Sequence, residues 1–153
     1  MAENTPFKIL CCTDFSDNAL AAFRHAVEQA SQHPGAQLYL LHVIPEPDSQ
    51  FWKTYIYQAD FDIDDKAKRD IDARVDADYR PLVPDGVTLI PSYRIGRDYE
   101  KILDFSREIN ADLLVVGRQG RSRSPLRAFF FGNVAERVAA QAACPVLIVP
   151  QQQ

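Results

Sequence analysis

No stretch of this 153-residue chain approaches the roughly 20 apolar residues that cross a bilayer. The opening MAENTPFKIL has no apolar centre of the kind a secretion signal carries. These two absences predict a cytoplasmic protein without membrane contact. Cysteine is scarce. Cys11, Cys12 and Cys144 are an odd number and form no C-x-x-C. Adjacent residues point to opposite faces of a strand, so Cys11 and Cys12 cannot act together there. Buried thiols in a reducing compartment are the expectation. His25, His33 and His42 stand at no metal-ligand spacing with the cysteines, so no metal site is expected.

Other absences remove known chemistries. The stretch CCTDFS after the first apolar run holds no glycine, which excludes the G-x-G-x-x-G dinucleotide fingerprint. No lysine follows Lys101, which excludes a P-loop in the glycine-rich stretch further on. No G-x-S-x-G occurs, so there is no nucleophile elbow. The net charge of -4 argues against a general nucleic-acid binder.

What is present is an ordinary globular composition, 46% hydrophobic and 25% charged, over a length that suits one domain, residues 1–153. Apolar runs alternate with amphipathic segments. FKILCC (7–12), QLYLLHVI (37–44), VTLIPSY (87–93), ADLLVV (111–116) and CPVLIV (144–149) read as five strands. Pro91 predicts an edge strand or a bulge. Ser16 is placed to cap a helix carrying Leu20, Phe23, Val27 and Ala30 on one face. Residues 64–80 read as a helix with Ala67, Ile71, Val75 and Tyr79 four apart. Asp98 is placed to cap a third helix, and Gly132-Asn133 opens a fourth. Residues 50–61 hold five aromatics without clean periodicity and read as a long loop on the core. Alternating strands and helices mean an α/β fold with a parallel sheet, doubly wound, whose ligands bind beyond the C-terminal strand ends where the winding reverses.

Two loops belong at that crevice: TDFS after the first strand and GRQGRS after the fourth. From Gly117 onward there are five arginines and one acid, Glu136. Such a basic patch suits a small anion better than a polymer. Gly117 and Gly120 allow close backbone approach. The helix start at Gly132 can bind an anion. Asp14 can accept hydrogen bonds from ribose hydroxyls or an adenine amino group. The competing reading is a surface turn with a solvated basic face.

The stretches ILCCTDFSDNA, LYLLHVI, GRDYEKI, ADLLVVGRQGRS, FGNVAERV and CPVLIV, in this order, resemble the universal stress protein family. The resemblance implies a five-stranded sheet in the order 3-2-1-4-5 and homodimers paired through the last strand, residues 144–149. It also implies two subclasses, of which one binds ATP through G-x-x-G, nine residues, then G-[ST]. Carried onto this chain, Cys12, Thr13, Asp14 and Val43 form the adenine and ribose side. Val116, Gly117, Arg118, Gln119, Gly120, Arg121 and Ser122 wrap ribose and phosphates. Gly132, Asn133 and Val134 meet the phosphates, with Mg²⁺ alongside ATP. Two departures stand out: eleven residues, not nine, separate Gly120 from Gly132, and Asn133 replaces the hydroxyl residue. The functional expectation is a stress-response binding or sensor module. The alternatives are an interaction protein of the same fold that binds no nucleotide, whose protein partner the sequence does not name, and a slow nucleotide hydrolase. No general base or metal pair supports an enzyme.

Overall fold

The computed structural model describes residues 5–45, 65–118 and 133–150. The aromatic stretch 50–61 and most of the arginine-rich loop, residues 119–132, lie outside them. Five parallel strands form one sheet: β1 (Lys8–Thr13), β2 (Gln37–Pro45), β3 (Thr88–Gly96), β4 (Leu113–Gly117) and β5 (Val146–Val149). Their order is β3-β2-β1-β4-β5, as the resemblance implies. The longest helical segments are α1 (Asp17–Ala30), α2 (Asp65–Arg74), α3 (Asp98–Glu108) and α4 (Asn133–Gln141).

β1 is central, and its Ile9, Leu10 and Cys11 are fully buried. A strand covered on both faces reads as a continuous apolar run rather than an alternation. The alternation reappears in the packing. Ile9, Cys11, Leu38, Leu40 and Val115 join a core that includes Phe23 of α1 and extends to Val75 and Tyr79 beyond α2. Leu10, Leu41, Leu114 and Val116 join a second core with Ile102, Leu103 and Phe105 of α3 and Ala135 and Val138 of α4. Cys11 and Cys12 accordingly face opposite cores.

α1 starts where Ser16 predicts. Its hydroxyl accepts from the Ala19 N–H at 3.1 Å. Ala19, Ala22, Ala26 and Ala30 are buried, which lets the helix lie close to the sheet around the one large side chain, Phe23. The segment from residue 64 is more complex than a single α-helix. α2 runs to Arg74, a π-helical turn follows over Val75–Tyr79, and a 3₁₀ turn ends it at Arg80–Leu82. The third helix begins without a side-chain cap: its N-cap residue is Arg97, and Asp98 is the first helical residue. β3 passes through Pro91 and continues to Gly96, longer than the sequence suggests. It is an edge strand, where a proline is tolerated because its missing N–H faces outward.

α1 and α2 follow β1 and β2 on one face, and α3 and α4 follow β3 and β4 on the other. The winding therefore reverses between β1 and β4, which are neighbours in the sheet.

Candidate functional site

At that reversal the ends of β1 and β4 lie side by side, with Cys11 opposite Val115. β2 flanks β1 with Thr13 opposite His42. Two of the residues that the resemblance assigns to an adenine and ribose side, Cys12 and Val43, are brought together, and Val134, assigned to the phosphates, joins them. Cys12 from β1, Val43 from β2 and Val134 from α4 are partly buried and pack against one cluster, which includes Val116 of β4. Val116 is itself only 4% exposed, so it backs the site rather than lining it. Gly117 closes β4, and the Arg118 N–H donates to the Val149 carbonyl at 2.8 Å, leaving the arginine side chain exposed. α4 begins at Asn133. Its first N–H groups have no partner within the helix, which makes such a terminus attractive to anions. Gln119, Gly120, Arg121, Ser122 and Gly132 lie outside the described residues.

The TDFS loop is built with care. Thr13 is buried and its Oγ1 accepts from the Phe15 N–H at 2.9 Å. The same oxygen is hydrogen-bonded to the Tyr79 hydroxyl at 2.6 Å. Asp14 Oδ1 accepts from the Ser16 N–H at 2.9 Å. This is the local turn bond that aspartate favours, and it turns the chain into α1. His42 is a satisfied structural histidine: its Nδ1 lies 3.0 Å from the Thr13 carbonyl. A carbonyl only accepts, so Nδ1 carries the hydrogen.

Titration behaviour argues against thiol chemistry. Burial, the neighbouring Cys11 and the Asp98 carboxylate push the Cys12 thiol well above its ordinary value. The reactive thiolate is suppressed there. For a nucleotide-bound Mg²⁺, the donor set holds Asp14, and phosphate oxygens supply most ligands in such sites. Among the described residues no group of three or more histidine, cysteine or acidic side chains is arranged to hold a metal alone.

Residues 7–150 match the model of the universal stress protein family. The chain belongs to this family. A universal stress protein of Thermus aquaticus is 33% identical over 144 residues, which cover 92% of this chain and 96% of the relative. The solved universal stress protein UspA of Lactobacillus plantarum has a TM-score of 0.73 and 26% identity, covering 94% of this chain and 97% of its own. Two more distant structures of universal stress proteins contain nucleotides. One, in complex with cAMP, has a TM-score of 0.60 and 24% identity over 94% of this chain and 95% of its own. The other, from Archaeoglobus fulgidus in complex with dAMP, has a TM-score of 0.64 and 20% identity over 94% and 97%. At those identities the likeness is one of fold.

Sequence reasoning missed Tyr79 and Phe15 as neighbours of the site. Tyr79 was legible as an apolar helix position, but not as the hydroxyl that holds Thr13. Phe15 has φ of +63°, which a bulky side chain rarely adopts and no sequence pattern announces.

Proposed function

We propose that this universal stress protein binds ATP or a related adenine nucleotide at the C-terminal ends of β1, β2 and β4, as a cytoplasmic stress-response sensor. The observation that carries the proposal is the convergence of Cys12, Val43 and Val134 on one cluster at the winding reversal, next to the start of α4. A half-buried apolar wall suits an adenine ring. Asp14 receives ribose hydroxyls, and the α4 start with Arg118, Arg121 and the loop glycines receives the phosphates. The cAMP and dAMP complexes of two family members support an adenine nucleotide as ligand class. The longer loop between Gly120 and Gly132 and the exchange of hydroxyl for Asn133 favour a second reading, an interaction protein without nucleotide. Two extra loop residues add little closure entropy, and asparagine caps a helix about as well as serine, so the first reading stands.

Calorimetry at low salt separates the two. ATP is expected to bind more tightly than adenosine, and the difference is expected to shrink as salt screens the arginine–phosphate attraction. Equal affinity for both leaves the arginines as a solvated face, and no affinity for either overturns the nucleotide reading.

We further propose a homodimer paired through β5. Its outer edge has no partner strand among the described residues, and an apolar strand so exposed invites pairing with a second copy. Val149 is 2% exposed and belongs to the core, whereas Leu147 is partly exposed. Leu147→Lys is therefore the informative variant. It is expected to raise the monomer fraction in analytical ultracentrifugation; an unchanged dimer would place the interface elsewhere.

A further inference from the structure

An opening of about 600 Å³ lies on the opposite side of the sheet from Val43 and Val134, and none of Cys12, Val43, Val116 or Val134 lines it. Its size falls within the range of small-molecule sites. His42 of β2 and Tyr93 of β3, directly opposite each other in the register, supply one wall. Ile71 of α2 and Val75 of the π turn supply the other, and Phe15 lines the β1 side.

Three independent features converge there. Phe15 holds a positive φ that costs backbone strain, and such strain concentrates at ligand clamps. Its ring is fixed between His42, with centroids 4.7 Å apart, and the Arg74 guanidinium, 4.5 Å from the ring centre. The second feature is the π turn itself. Single π turns occur often at functional sites, and this one sets Val75 in the cavity wall and Tyr79 on Thr13. The third is His42, whose Nδ1 contact with the Thr13 carbonyl fixes the ring plane. The aromatic walls are thus set before any ligand arrives, which lowers the entropy lost on binding. Among the described residues that line the opening, the charged ones are Lys68, Arg94 and Asp72, two cations to one carboxylate, so the balance of charge favours an anion.

We propose that this cavity is a second small-molecule site, which takes a planar aromatic carboxylate. The ring lies against Phe15, His42 and Tyr93, and the carboxylate meets Lys68 at the rim. The site is independent of the nucleotide reading because the two lie on opposite faces of the sheet.

The test is a titration of the full chain, ¹⁵N-labelled, with indole-3-carboxylate as probe. Saturable shifts are expected at the amides of Phe15, His42, Ile71, Val75 and Tyr93, with Val43, Val116 and Val134 unmoved and excess ATP without effect. Ile71→Trp fills the space and Tyr93→Ala removes a wall; each is expected to weaken the probe about tenfold. Lys68 is exposed, so Lys68→Gln keeps the fold. That variant is expected to weaken indole-3-carboxylate while leaving the uncharged carboxamide unchanged. Shifts that never saturate, or that centre on Val43 and Val134, overturn the proposal. So does a wild-type protein that binds carboxamide as well as carboxylate.

Discussion

Gly132→Val is expected to abolish ATP binding measured by calorimetry. α4 begins at the next residue, Asn133, and in the nucleotide reading proposed above its first N–H groups receive the phosphates. A branched side chain immediately before that helix occupies the space that phosphate oxygens need. Circular dichroism of the variant must match wild type, so that loss of binding is not loss of fold. Gly35→Ala is the control. Gly35 has φ of +77°, and a Cβ there would meet nothing within 4 Å, so the substitution adds backbone strain but no clash. It is expected to cost about 1 kcal/mol of stability and to leave ATP binding intact. A folded Gly132→Val protein with wild-type affinity would falsify the phosphate role of the α4 start.

The second large effect is a loss of stability in alkali. Cys11 is fully buried, and burial pushes its thiol from 9.0 up to about 12. Burial likewise pushes Tyr79 from 10.0 up to about 12, outweighing the hydrogen bond from Thr13 that lowers it. Above pH 9 the unfolded chain gives up protons that the folded chain keeps, so stability falls as pH rises. The contribution of these groups is complete below pH 9 and is lost progressively up to pH 12. For Cys11 the shift amounts to something on the order of 4 kcal/mol, and for Tyr79 on the order of 3 kcal/mol. Together these are comparable to the roughly 5–15 kcal/mol that holds a domain folded. Urea unfolding at pH 8, 10 and 11 measures the slope. Tyr79→Phe is expected to flatten the part above pH 10, and Cys11→Ala to reduce the part that starts near pH 9, to which the buried Cys12 thiol also contributes. A Tyr79→Phe curve parallel to wild type up to pH 11 would show that Tyr79 titrates normally in the folded protein.

The sheet was legible in the sequence because its strands are buried on both faces. Five continuous apolar runs, spaced by amphipathic segments, leave few architectures open. Strand order was not legible from periodicity and came from the resemblance to a family. The segment after residue 64 shows why local pattern stops short. Apolar residues exactly four apart drift by about 40° per step around an α-helix of 3.6 residues per turn. Ala67, Ile71, Val75 and Tyr79 keep that spacing through three steps. The π turn over Val75–Tyr79 is wider, and both Val75 and Tyr79 are buried. Of the candidate site, the resemblance to the family assigned Cys12 and Val43 to the adenine and ribose side and Val134 to the phosphates, and the structure packs all three against one cluster. The cavity beside Phe15 was not legible, because its walls come from the β1 loop, β2, β3 and α2. No local window contains all four.

The two borders of the sheet are unlike. At one, β3 carries Pro91, and the β2–β3 register runs unbroken through it, as it does when the absent donor points outward. At the other, VLIV of β5 has every main-chain donor in place. Any strand-to-strand growth can therefore use the β5 border and meets an interrupted ladder at β3. A head-to-tail fibre needs two adhesive borders, and among the described residues this sheet offers one, so growth by sheet extension alone has no second border to continue from.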